Sequence, residues 1–162
     1  MHTDLPFLVA AAGHPSLDDA IVRFCDALRA ESRWFGPRGA GSRKPSPSLI
    51  RRLASTQPGL CLAAVIDGDV IGLARIDAAA PSGPELLVAV AGRWRGRGVA
   101  LTLGEAIVRR ATDAGLDRIV LRTSERGDAL RELASALGFQ VVELGRGHID
   151  LIRTLQPVSR SA

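Results

Sequence analysis

The chain has 162 residues, 46% of them hydrophobic, with 21 Lys and Arg against 17 Asp and Glu for a formal net charge of +4, no tyrosine and two cysteines. That length supports one domain able to bury roughly two-thirds of its unfolded surface. Cys25 and Cys61 are too few for a disulfide framework and lack zinc-ligand spacing, which fits a reducing, cytoplasmic setting. No basic segment followed by an apolar core opens the chain, and no apolar run reaches the ~20 residues of a membrane span, so a soluble protein without a membrane partner is expected. Lys44 is the only lysine, so arginine carries nearly all the positive charge. The arginines are scattered and the six aromatics show no spacing for base stacking, which argues against nucleic acid as the partner.

In chain order, Phe7 to Ala12 reads as a first strand. Ser16, with Asp19 three residues on, resembles a helix N-cap, and Ile21, Phe24, Cys25 and Leu28 form one apolar face, predicting a helix over about Ser16 to Glu31. Gly36 to Pro47, rich in Gly, Pro and Ser, predicts a mobile loop, and Ser48 to Thr56 a short second helix. Cys61 to Ile66 and Val70 to Ile76 flank Asp67-Gly68, a tight-turn pair that predicts an antiparallel hairpin. After the break at Pro81-Ser82-Gly83-Pro84 comes the apolar strand Glu85 to Val90.

Beyond it, Leu103, Ala106, Ile107 and Ala111 define a helical face ending near Gly115. Ile119 to Leu121 is a further strand, and Leu130, Leu133, Ala134 and Leu137 a further helix closed by Gly138. Gln140 to Leu144 and His148 to Thr154 form a last hairpin around Gly145-Arg146-Gly147. Residues 1–156 are thus expected to form a single α/β domain with a mixed, mostly antiparallel sheet flanked by helices, followed by a frayed tail over 157–162.

The segment joining strand Glu85 to Val90 to the next helix reads Arg95-Gly96-Arg97-Gly98-Val99-Ala100. Glycines let the backbone pass close to a ligand, and the first amides of a helix lack carbonyl partners, so this order suits a phosphate or pyrophosphate. Arg95 and Arg97 add charge that can pair with phosphate oxygens. Gly-x-Gly also serves ordinary tight turns. No Lys-Ser or Lys-Thr pair follows the glycines, which disfavours a nucleotide-hydrolysing phosphate loop, and Leu101 stands where a dinucleotide motif would place its third glycine.

Arg95, Gly98 and Ala100 meet the pattern Arg or Gln, two residues, Gly, one residue, Gly or Ala, and the chain ends its last helix on Leu137-Gly138-Phe139. In these motifs and in element order the chain resembles the GNAT superfamily of N-acetyltransferases. Glu31-Ser32-Arg33-Trp34-Phe35, the hairpin from Ala64 to Gly72 and the position of Glu85 are most similar to bacterial protein lysine acetyltransferase domains. The resemblance implies acetyl-CoA as cosubstrate. Its pyrophosphate would be held by Arg95, Gly96, Arg97, Gly98, Val99 and Ala100, its pantetheine arm would pair with the backbone of Val88, Ala89 and Val90, and Arg126 would approach from the next loop. It also implies a primary amine acceptor, a protein lysine or a small amine, acetylated by direct transfer in a ternary complex.

An amine with a lysine-like pKa of about 10.4 must lose a proton before it can attack a thioester. Glu85 is the residue chosen for that role, as the related enzymes use a Glu at this position. Many relatives place a tyrosine four residues before the Gly-Phe ending to protonate the departing thiolate; here that position is Ala134, and Gly127 replaces an Asn often found seven residues earlier. A thiol of pKa about 8.5 leaves as thiolate at a cost of only about 2 kcal/mol at pH 7, so turnover needs no dedicated acid, and Ser124 or water can assist. His2, His14 and His148 have no triad or metal partner nearby in sequence, so no metal is expected. The absent tyrosine leaves a second reading open, a non-catalytic acyl-CoA sensor or interaction module. Acceptor identity, acyl chain length and oligomeric state are not encoded in any of these motifs.

Overall fold

The computed structural model describes residues 7–12, 15–30, 53, 60–123, 128–144 and 147–156. Seven strands, β1 (Leu8–Ala11), β2 (Cys61–Ile66), β3 (Asp69–Asp77), β4 (Glu85–Val90), β5 (Arg118–Thr123), β6 (Gln140–Leu144) and β7 (Ile149–Thr154), form one sheet in the order β1-β2-β3-β4-β5-β7-β6. Every pairing is antiparallel except β4 with β5. The described helices are α1 (Pro15–Ala30), α2 (Val99–Asp113) and α3 (Asp128–Ala136).

The β2–β3 turn has Asp67 at φ 50° and Gly68 at φ 83°. Two consecutive left-handed residues are the requirement of a tight hairpin turn, and Asp-Gly satisfies it. All six residues of β4 are buried, as expected for a central strand covered on both faces. On one face Ile21, Phe24, Cys25 and Leu28 of α1 pack with Cys61, Ala63, Leu73, Leu87 and Ala89. On the other, Leu103, Ile107 and Ala111 of α2 and Leu130, Ala134 and Leu137 near α3 pack with Leu86, Val88, Val90, Ile119 and Leu121. The alternation of β4 residues between these two clusters fixes what each face can carry.

The N-cap assigned to Ser16 is corrected: α1 begins at Pro15, which puts Ser16 inside the first turn. Proline's fixed φ and missing N–H favour that first helical position. β5 extends beyond Ile119 to Leu121 at both ends because β7 pairs along its whole length, from Arg118 opposite Thr154 to Thr123 opposite Ile149. The predicted loop 36–47, the predicted helix 48–56 apart from buried Leu53, and the tail from Pro157 lie outside the described residues.

Candidate functional site

β4 is paired with β3 along its full length, from Asp77 opposite Glu85 to Gly72 opposite Val90. With β5 its register holds one pair only, Glu85 with Val120, reinforced by the Val120 N–H donating to the Pro84 carbonyl at 2.8 Å. Past that point the two parallel strands part. The Ala91 N–H donates to the Ile71 carbonyl at 2.9 Å, so odd-numbered residues of β4 turn their peptide groups toward β3. Those of Val88 and Val90 therefore face the gap toward β5.

The gap opens into a cleft of about 330 Å³ on the α2–α3 face, walled by Val88, Val90, Trp94 and Val99 and, from α3, by Leu130 and Leu133. Its rim is the loop between β4 and α2. Gly98 caps the helix in a left-handed conformation, φ 81° and ψ 1°, which glycine adopts without steric cost. The first helical bond runs from the Thr102 N–H to the Gly98 carbonyl at 3.0 Å. The amides through Leu101 thus have no intrahelical acceptor, and the positive end of the helix dipole lies among them.

Of the residues singled out from the sequence, Val88, Val90, Arg95, Gly96, Gly98, Val99 and Ala100 line this one cleft. Ala89 does not: its peptide is turned to β3 opposite Leu73 and its side chain packs on the α1 face. Arg97 is exposed and lies over the Trp94 ring, 5.3 Å from its centroid. The Arg95 Nε donates to the Val90 carbonyl at 3.0 Å, tying the loop to the end of β4. Among the described residues the buried Nε1 of Trp94 has no hydrogen-bond partner, leaving a donor in the cleft wall. Ala134 is fully buried, a packing position. Ser124, Arg126 and Gly127 lie outside the described residues.

Glu85 is buried at the point where the strands part, on the opposite face from the cleft, with Leu87 and Ala89. That face carries further charged residues that sequence reasoning missed. Asp77 stands opposite Glu85. On β5, Arg122 donates through Nε and Nη2 to the two carboxylate oxygens of Asp150, both at 2.7 Å, and through Nη2 to Ser82 Oγ at 2.8 Å. The Arg122 hydrogen bond holds the Asp150 carboxyl below its usual range, against the opposing effect of burial. On β3, Arg75 is buried beside Cys61. Burial pushes the Cys61 thiol up to about 11, against the pull of the Arg75 guanidinium. Among the described residues no group of His, Cys, Asp or Glu could hold a metal ion, and no helix is long and apolar enough to cross a membrane. The one signal for Arg75 in the sequence was a charge interrupting the apolar run Leu73-Ala74-Arg75-Ile76.

A model of the Acetyltransferase (GNAT) family matches residues 24–139. No curated protein gives a significant match. Among solved structures, the GNAT domain of PAT from S. lividans superposes with a TM-score of 0.72 at 20% identity, covering 92% of this chain and 90% of that one. A GCN5-related N-acetyltransferase from Kribbella flavida gives 0.69 at 22% identity, covering 93% of this chain and 98% of that one. The yncA protein of Salmonella typhimurium, solved with its cofactor acetyl-CoA, gives 0.66 at 17% identity, covering 98% of each chain. At these identities the likeness is one of fold.

Proposed function

We propose, from the premise that this chain belongs to the GNAT acetyltransferase family, that it transfers the acetyl group of acetyl-CoA directly to a primary amine, a protein lysine or a small amine, in a ternary complex. The observation that carries this reading is the parting of β4 from β5 immediately beyond Glu85, with the cleft on one face and the Glu85 carboxylate on the other. The cleft fits the cosubstrate: amides without intrahelical acceptors and a helix N-terminus at its rim suit a pyrophosphate, its apolar walls suit a pantetheine arm, and outward-facing peptides on β4 suit that arm's amides.

In this reading the amides through Leu101 hold the pyrophosphate, and the peptide groups of Val88 and Val90 orient the arm. A backbone N–H of β4 polarises the thioester carbonyl as a fixed donor. Glu85 takes the proton from the incoming ammonium, directly or through one water, and the amine nitrogen bonds to the carbonyl carbon. The C–S bond then breaks, the thiolate departs, and the acylated nitrogen gives up its second proton to solvent, leaving the neutral amide. With Ala134 where a tyrosine acid often stands, the thiolate takes its proton from solvent or from Ser124. Residues 1–156 act as one catalytic domain.

The buried Ala134 favours a second reading, a sensor that binds acyl-CoA without turnover. Thiol release from acetyl-CoA with a panel of amines, comparing wild type with Glu85→Gln, separates the two. The enzyme reading expects amine-dependent release that collapses in the variant. Binding of acetyl-CoA with no release from any amine would leave only the sensor.

A further inference from the structure

Arg75 lies near the C-terminal end of β3, is only 6% exposed, and among the described residues has no hydrogen-bond partner for Nε or Nη1. Across β2 its guanidinium is hydrogen-bonded to the Cys61 thiol, a weak and uncharged acceptor, and across β4 it faces Leu87. Among the described residues no carboxylate pairs with it. Arg122, on the same face of the sheet, is by contrast neutralised by both oxygens of Asp150. A buried cation without a hydrogen-bonded anion is among the most unfavourable groups a core can hold. A break in local consistency of this kind is expected at functional sites.

The register places Arg75 beside Glu85. Asp77 lies opposite Glu85 and Arg75 opposite Leu87, so Arg75 and Glu85 are diagonal neighbours on one face, with backbones roughly 7–8 Å apart. A ligand a few bonds long spans both. Resting on the acetyltransferase reading above, we propose that Arg75 receives a carboxylate of the acceptor, so that the acceptor class is a primary amine carrying a carboxylate a few bonds away. The opposite charges at the two ends fix the direction of binding, ammonium toward Glu85 and carboxylate toward Arg75, whose planar guanidinium matches a carboxylate in shape and charge. A free amino acid and a lysine flanked by an acidic residue in a peptide present the same chemistry.

The test follows thiol release from acetyl-CoA by wild type, Arg75→Gln and Arg75→Met with matched acceptors: lysine against lysinamide, and lysine peptides bearing Glu or Gln beside the lysine. Wild type is expected to favour the carboxylate member of one pair by about tenfold or more in kcat/KM. Arg75→Gln is expected to lose that preference with KM for acetyl-CoA unchanged, and the pair that responds identifies the source of the carboxylate. Thermal melting without acceptor adds a readout that a merely structural arginine would move the other way: Arg75→Met is expected to raise Tm, because it removes an uncompensated charge. Equal kcat/KM for the acid and amide members of every pair, or a preference that survives Arg75→Gln, overturns the proposal. If acetyl-CoA binds but no amine releases thiol, the acetyltransferase reading fails by itself. Acid and amide acceptors are then compared by calorimetry on wild type saturated with coenzyme A, where equal binding overturns the role of Arg75.

Discussion

The two faces of the sheet around β4 are built from different materials. The α2–α3 face forms its cleft from backbone amides, glycines and apolar walls, and its charged side chains brace the loop, as Arg95 does at the Val90 carbonyl. The α1 face buries Glu85, Asp150 and Arg75 in the sheet beside Leu87 and Ala89. A rigid backbone cradle suits a cosubstrate of fixed shape, whereas buried side-chain charges suit discrimination among acceptors and movement of a proton. Glu85 sits where the strands part, so under the proposed function the division is between holding the donor and preparing the nucleophile.

Substitutions that act on one face alone sharpen this division. The largest effect is expected for Glu85→Gln, which should lower kcat about 10²–10⁴-fold while acetyl-CoA affinity, read by calorimetry, stays at the wild-type value. Gly72→Val acts on the other face. A Cβ at Gly72 would lie 2.9 Å from Val99 Cγ1 and 3.0 Å from Leu103 Cδ1, so the larger side chain pushes the first turn of α2 from the sheet. A loss of about 1–3 kcal/mol in denaturant unfolding and weaker acetyl-CoA binding should follow.

Asp150→Asn breaks the pair on the α1 face and should cost about 1 kcal/mol at pH 7, discounted because Arg122 is 36% exposed. The Arg122 hydrogen bond holds the Asp150 carboxyl below the usual aspartate range, so the pair's contribution is present above the ordinary aspartate pKa and lost as pH falls through the lowered one. The stability gap between variant and wild type should therefore close in acid. Arg97→Ala removes a cation from the Trp94 ring at an exposed position. It should cost only about 0.5–1 kcal/mol, and a larger loss would mean that the stacked pair organises the loop.

The donor face was the more legible in sequence. Strand Glu85 to Val90, the glycine loop and the helix after it each depend on local rules: a short apolar run bounded by turn residues, left-handed glycine, an open helix N-terminus. Asp67-Gly68 was legible for the same reason, since both residues adopt positive φ. The parting of β4 from β5 was not, because a single pairing at Val120 is a property of how distant strands meet. Arg122 and Asp150 are 28 residues apart and join only through the β5–β7 register. Arg75 lies in a strand buried along both faces, where alternation carries no signal of which side chain is special. Ala89 went the other way: nearness in sequence grouped it with Val88 and Val90, while strand alternation turns it to the opposite face.

The division of labour between the faces is tested most directly by amide chemical shifts of the protein titrated with coenzyme A. Shifts are expected to concentrate at Val88, Val90, Gly96 to Leu101 and the first turns of α3, with Cys61 to Ala64 and the middle of α1 unmoved. Shifts centred instead on α1 and β2, with the loop before α2 unchanged, would contradict the account.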